Sequence, residues 1–256
     1  RGAGRGGHQH NAFPALTDAM RKVPGLEVDW AVEEALAPIA QLHPAVHRVI
    51  AVPMRRLRRR PLFGLVSPEA TAVRRALAET AYDVVIDAQG LMKSALIAML
   101  AQGRRHGFDQ QSAREGAATF AYHHRHRVPE VEHMAERIRK LFAAALGYSL
   151  DDLKLDTGLR PSPPSEGDPP HLVFFHGTTW PTKTWSLAAW RDLAGEAQKS
   201  GFRVLLFAHG DVEEARAQTI AKGRHLVQAL PPQPLGTLLP LVASASGVVS
   251  VDTGLG

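Results

Sequence analysis

The stretch His171–Ser200, HLVFFHGTTWPTKTWSLAAWRDLAGEAQKS, decides the fold. Leu172 to Phe175 is a short unbroken apolar run, the pattern of a strand buried on both faces of a parallel sheet. His176 and Gly177 end the run. Thr178, Thr179 and Lys183 follow in a polar loop that holds Pro181. Ser186 stands where a helix N-cap belongs. Leu187, Trp190, Ala194 and Ala197 recur at helical spacing, and Gly201 is placed to end the helix. In an open α/β sheet, ligands sit beyond the carboxyl ends of the strands. Two hydroxyls, one ammonium and a helix N-terminus there suit an anion, most simply a phosphate. The same residues also fit an ordinary strand–helix loop whose threonines cap backbone groups and whose lysine is solvated.

The alternation continues downstream. Phe202–Phe207 reads as a strand, Val212–Ala221 as a helix, Leu226–Leu230 as a strand, Leu235–Ala243 as a helix and Gly247–Val251 as a strand. Upstream, residues 151–170 are rich in Pro, Ser and acids and read as a linker. The domain organisation expected is therefore an irregular start over 1–11, an α/β domain over 12–150, the linker 151–170 and a second α/β domain over 171–256. A chain of 256 residues with 45% hydrophobic content can bury two such cores. No apolar run approaches a membrane span. The absence of cysteine excludes disulfides, thiolate nucleophiles and Cys-type zinc sites.

Charge is unevenly placed. Residues 1–150 carry 21 Lys/Arg against 14 Asp/Glu, and residues 151–256 carry 9 against 11. The first half is thus built to meet an anion. Its densest feature is MRRLRRRP, residues 54–61, with Arg55, Arg56, Arg58, Arg59 and Arg60. Arginines this close repel one another unless an anion sits among them, and Arg grips phosphate and carboxylate bidentately. Interleaved aromatics and nucleic-acid modules are missing, so a nucleic-acid partner is not expected.

Within 12–150, FPALTDAMRKVPG reads as a helix ended near Pro24-Gly25, LEVDWAVEEAL as an alternating strand and Glu34–Leu42 as a second helix. VHRVIAVP (46–53) is a strand and Pro68–Thr80 a helix. YDVVIDAQGLMKSALIAML is a second strand–loop–helix unit. Its Asp87, at a strand's carboxyl end, is equally suited to chemistry and to capping the helix that follows. His123, His124 and His126 lie among arginines and read as basic surface rather than a metal site. HMAERIRKLFAAALGY is an amphipathic helix with Met134, Ile138, Leu141 and Phe142 inward and Gly147 at its end.

Taken together, FPALTDAM, VDWAVEEAL, VIDAQGLMKSAL, HGFDQQSARE, HMAERIRKLFAAALGY, FFHGTTWPTKTWSLAAWRDLA and VVSVDTGLG resemble, in order and spacing, the family 9 glycosyltransferases. The resemblance runs from about Ala12 to the last residue. It implies a GT-B fold: two Rossmann-like domains facing a cleft. It implies inverting transfer of L-glycero-D-manno-heptose from ADP-heptose to Kdo of Kdo2-lipid A in lipopolysaccharide inner-core synthesis, with no cofactor and no metal. It also implies a cytoplasmic enzyme, peripheral on the anionic inner face of the inner membrane. The alternatives are another family 9 enzyme, of the heptosyltransferase II kind, and a non-catalytic basic α/β protein that holds acidic glycolipid.

Carried over by position, Thr178, Thr179, Lys183, Glu213, Asp252, Thr253 and Gly254 are the donor contacts that the resemblance implies. Lys183 offsets charge on the departing ADP. Arg55, Arg56, Arg58, Arg59, Arg60 and Arg114 face the carboxylates and phosphates of the acceptor. The family opens with a strand, then Gly-Asp-Val and a His, that Asp being the expected general base. Here the region reads GRGGHQHNAF and no Asp precedes Asp18. His8, near that position, is named as a stand-in base. The expectation is a fragment with an aberrant start, an incomplete second domain and no activity of its own, the intact protein being the transferase.

Overall fold

The computed structural model describes residues 10–54, 56, 67–159, 169–178 and 181–251. The chain divides into two compact units that part between Leu159 and Arg160.

In the first unit β1 (Val28–Glu33) pairs in parallel with β2 (Val46–Val52). A second parallel sheet holds β3 (Ala81–Asp87), β4 (Gln102–Phe108) and β5 (His124–His126) in that order. The helices are α1 (Phe13–Lys22), α2 (Ala37–Ala40), α3 (Pro68–Ala78), α4 (Met92–Ala98) and α5 (Met134–Leu146). The helix expected over 34–42 is shorter, with a 3-10 turn over Glu34–Leu36 preceding α2. Pro38 lies in the first turn of α2, where its missing N–H costs nothing, and it stops a continuous helix from Glu34. Gly147 ends α5 with φ of 75°, a left-handed cap.

Buried charge holds this unit together. The Asp18 carboxylate on α1 lies 2.5 Å from Nε of Arg139 on α5, and both side chains are nearly inaccessible. Arg139 also donates to the Leu153 carbonyl at 2.8 Å, and Arg21 meets Asp156 at 2.5 Å. The opening half of the segment read as a linker is therefore fastened to α1 and α5. Near the start of the strands, Asp29 Oδ2 accepts from Arg48 Nε at 3.0 Å, Arg48 Nη2 at 2.7 Å and Tyr82 Oη at 2.7 Å. That knot joins β1, β2 and β3.

The second unit is one parallel sheet of β6 (His171–Phe175), β7 (Arg203–Phe207), β8 (Val227–Ala229) and β9 (Gly247–Ser250) in the order β8-β7-β6-β9. Its helices are α6 (Leu187–Lys199), α7 (Asp211–Ala221) and α8 (Leu235–Ala243). Phe174, Val204 and Leu206 pack against Trp190, Ala194, Ala197, Ala217 and Ile220 of α6 and α7. Val173, Phe175, Leu205 and Phe207 turn the other way, towards Leu238 and Leu241 of α8. Both faces are covered, which is why β6 reads as a continuous apolar run.

The chain passes from β6 outward to β7 and β8, then returns to the opposite edge of β6 with β9. The strand order thus reverses between β6 and β9, and ligands of doubly wound sheets bind at the carboxyl ends beside that reversal.

Candidate active site

The β6 loop begins at the reversal point. Ser186 caps α6 as expected, its hydroxyl accepting from Ala189 N at 3.1 Å. Trp190, fully buried one turn further on, is the floor of the site. Three rings rest on it: Phe174 at 5.4 Å, Trp185 edge-on at 5.2 Å and His176 edge-on at 6.3 Å. Trp185 is also held by Arg216 of α7, which donates to its carbonyl. The loop carrying Lys183 is therefore moored at Trp185. Lys183 is exposed, and Thr178 is half-buried directly after β6.

Glu213 approaches from β7's side. It lies in the first turn of α7 with Asp211 and Glu214, where negative charge is favoured by the helix dipole. Its Oε2 accepts from His209 N at 2.8 Å. Gly177 leaves room for the carboxylate: a methyl group built there would overlap Glu213. Val251 N donates to the Phe175 carbonyl at 3.1 Å, which sets Val251 beside the end of β6. Thr178 and Lys183, on the loop after β6, and Glu213, in the first turn of the helix after β7, thus follow adjacent strand ends. Thr179, Asp252, Thr253 and Gly254 lie outside the described residues, as do His8, Arg55, Arg58, Arg59 and Arg60.

In the sequence His176 reads only as the end of the apolar run. It is completely buried, and neither ring nitrogen has a hydrogen-bond partner among the described residues; nor do Trp190 Nε1 and Arg216 Nε. Burial lowers the His176 pKa, which Glu213 opposes and Arg216 reinforces. Buried polar atoms without protein partners are rare in finished cores and common at sites that meet polar ligands or water.

In the first unit Asp87 is structural. Its carboxylate accepts from Gln89 N at 2.9 Å, Gly90 N at 3.3 Å, the Ser94 hydroxyl at 2.8 Å and Tyr122 Oη at 2.6 Å. This stiffens the loop after β3. Asp109 Oδ1 does the same for the loop after β4, accepting from Gln111 N and Ser112 N, and Glu115 N bonds the Gly90 carbonyl at 3.0 Å. On that braced loop Arg114 is exposed and has no carboxylate partner among the described residues. Arg56 is exposed too and pairs with Glu34 at 3.0 Å. The histidines read as surface are partly otherwise: His126 Nε2 is 3.0 Å from His106 Nδ1, and the two rings stack at 5.2 Å. Among the described residues no group of three or more His, Cys, Asp or Glu is arranged to hold a metal ion, and no helix is long and apolar enough to cross a membrane.

A doubly wound domain with hydroxyl, ammonium and carboxylate groups at its reversal point is of the kind that binds nucleotides. Comparison with known proteins specifies the class. Residues 70–256 match the model of glycosyltransferase family 9 (heptosyltransferase), and the chain belongs to that family. Lipopolysaccharide heptosyltransferase 1 of Salmonella typhimurium is 41% identical over 96% of this chain and 78% of its own length. The Pseudomonas aeruginosa protein of the same name is 43% identical over 96% of this chain and 70% of its own length. The structure of E. coli heptosyltransferase WaaC with ADP superposes with a TM-score of 0.90 at 40% identity, covering 99% of this chain and 80% of that one. WaaC with ADP-2-deoxy-2-fluoro heptose superposes equally well. The fold is accordingly of the GT-B type, with two Rossmann-like domains, and the chain is a glycosyltransferase.

Proposed function

We propose that the protein transfers L-glycero-D-manno-heptose from ADP-heptose to Kdo of Kdo2-lipid A, with inversion at the anomeric carbon. The observation that carries this reading is the 40% identity and 0.90 TM-score to WaaC, whose structures hold ADP and an ADP-heptose analogue, across nearly the whole chain. The loops at the β6–β9 reversal support the donor half. In this reading Thr178, Thr179 and the backbone of Asp252, Thr253 and Gly254 hold the diphosphate and sugar. Glu213 accepts from the ribose hydroxyls. Lys183 meets the negative charge that grows on the leaving ADP, where an ammonium helps most.

The acceptor half rests on charge. Arg55, Arg56, Arg58, Arg59, Arg60 and Arg114 bind the carboxylates and phosphates of the acceptor. His8 is the group offered to take the proton of the attacking hydroxyl. The place of work is the cytoplasmic face of the inner membrane, where the basic half of the chain meets anionic lipid.

Calorimetry with ADP-heptose, set beside UDP-glucose, tests the donor reading without requiring turnover. ADP-heptose binds and UDP-glucose does not, and Lys183→Ala weakens ADP-heptose binding by about tenfold, the worth of one charge-assisted contact. Equal affinity for the two nucleotide sugars, or an unchanged Lys183→Ala, overturns it.

A further inference from the structure

Helix α4 turns an unusual face to solvent. Met92, Leu96, Met99 and Leu100, spaced i, i+4, i+7 and i+8 along α4 and the turn after it, are 41%, 56%, 53% and 36% exposed. Lys93 is the one charged residue among them, while Ala95 and Ala98 are buried. A water-facing stripe is expected to be polar, so four large apolar side chains in one stripe require a reason.

The element packed against α4 carries a further exposed apolar side chain. Ala95 packs with Ala118, Ala121 and Tyr122, which fixes the turn Gly116–Ala121 against α4. That turn holds Phe120, 83% exposed. Two arginines grip the same turn from β4 and β5: Arg105 Nε donates to the Ala121 carbonyl at 2.7 Å and Arg125 Nε to the Thr119 carbonyl at 2.9 Å. Arg104, His123, His124 and Arg127 are exposed on the same two strands or beside them. Across residues 88–128 there are six Lys/Arg and two Asp/Glu. Both acids are engaged, Asp109 in its own turn with Gln111 N and Ser112 N, and Glu115 accepting from Met92 N at 2.6 Å at the start of α4.

We propose that α4 and the Gly116–Ala121 turn form a membrane-docking face, with Met92, Leu96, Met99, Leu100 and Phe120 entering the headgroup–acyl boundary of an anionic bilayer. Lys93, Arg105 and Arg125 are the basic rim. Apolar side chains rimmed by Lys and Arg are the composition of an interfacial surface, and the long basic stems let their charges stay at the phosphates. The charge settles the choice of occupant: a second copy would set this rim against itself, whereas phosphatidylglycerol supplies the opposite sign. The proposal extends the lipid-facing part of the functional reading and places the contact on a surface separate from the 54–61 arginines.

The test is flotation of the full chain with vesicles of phosphatidylethanolamine and phosphatidylglycerol, containing no saccharide acceptor, beside vesicles of phosphatidylcholine. An error in the assigned acceptor leaves this result unchanged, and donor binding measured on the same samples reports separately on the transferase reading. The chain floats with the anionic vesicles, and added salt weakens it. The exposed changes Leu96→Glu and Met99→Glu together cut vesicle affinity by at least about tenfold, while circular dichroism and ADP binding stay as they were. A Phe120→Trp variant gains fluorescence quenching by brominated lipid. Undiminished flotation of the double variant, no added quenching, or a parent chain that light scattering shows dimerised through this face overturns the proposal.

Discussion

Glu213 lies against the bare Cα of Gly177, so that any side chain at 177 would occupy the space of the carboxylate. The clash is with the end of a flexible side chain, not with backbone. Gly177→Ala therefore swings Glu213 away from His209 N and leaves the strand intact. Melting temperature falls by no more than about 3 °C, because a displaced surface carboxylate costs little. Affinity for ADP falls by about the same factor as in Glu213→Gln. The double variant is no worse than either single one, since both remove the same carboxylate position. Additive losses in that cycle would separate the two residues.

Two residues after Lys183, the loop is fixed at Trp185, whose ring leans on Trp190 and whose carbonyl is held by Arg216. Trp185 is 45% exposed, so removing it sacrifices little core. Trp185→Ala weakens ADP-heptose binding by several-fold, and its stability cost is under about 1.5 kcal/mol, well below the 3–5 kcal/mol for a buried Trp. Trp190→Ala shows the contrast, losing roughly 3–5 kcal/mol and donor binding together. Urea unfolding beside calorimetry reads both quantities.

These residues mark how far the sequence could be read. β6, the Ser186 cap and α6 were legible because each carries a local pattern: an apolar run, a hydroxyl three residues before an amide and a helical repeat. The order of β6, β7, β8 and β9 was not, since strand neighbours are set by packing and not by spacing. Asp87 looked equally suited to chemistry, and only its four hydrogen bonds, one from Tyr122 thirty-five positions on, show it committed to the loop. His176 sat in plain view at the strand end, yet its burial depends on Trp190 and α7. The sequence marks α4 only as the helix of a strand–loop–helix unit, and nothing in its spacing says which of its apolar side chains face water.

Acid should loosen the fold through histidine. His106 is pushed down to about 4 by burial, with His124, His126, Arg104 and His123 adding to it, and His43, His126 and His176 are lowered as well, each chiefly by burial. In each case the unfolded chain binds a proton more readily than the folded one. Stability is therefore full above the ordinary value near 6.5 and is lost as pH falls below it. For His106 alone the loss reaches roughly 1.4 kcal/mol by pH 5.5. Urea midpoints measured from pH 7.5 down to 5 fall, and His106→Gln flattens that slope. An unchanged slope would remove His106 from the account.

The buried pair Asp18–Arg139 makes the sharpest stability prediction. Asp18→Ala strands a guanidinium that Glu136 relieves only in part, through Arg139 Nη1 at 2.9 and 3.0 Å. The loss is about 3 kcal/mol, the scale for breaking a buried ion pair from one side. Replacing both partners with apolar groups, Asp18→Leu with Arg139→Met, usually recovers such a loss. Here the recovery is incomplete, because Arg139 also donates to the Leu153 carbonyl and so fastens residues 151–159 to α5. The double variant regains most of its urea midpoint but is cut faster by protease within 151–159. If cleavage stays at the parent rate, then Arg21–Asp156 and the other contacts of that segment hold it without Arg139, which serves α1 only.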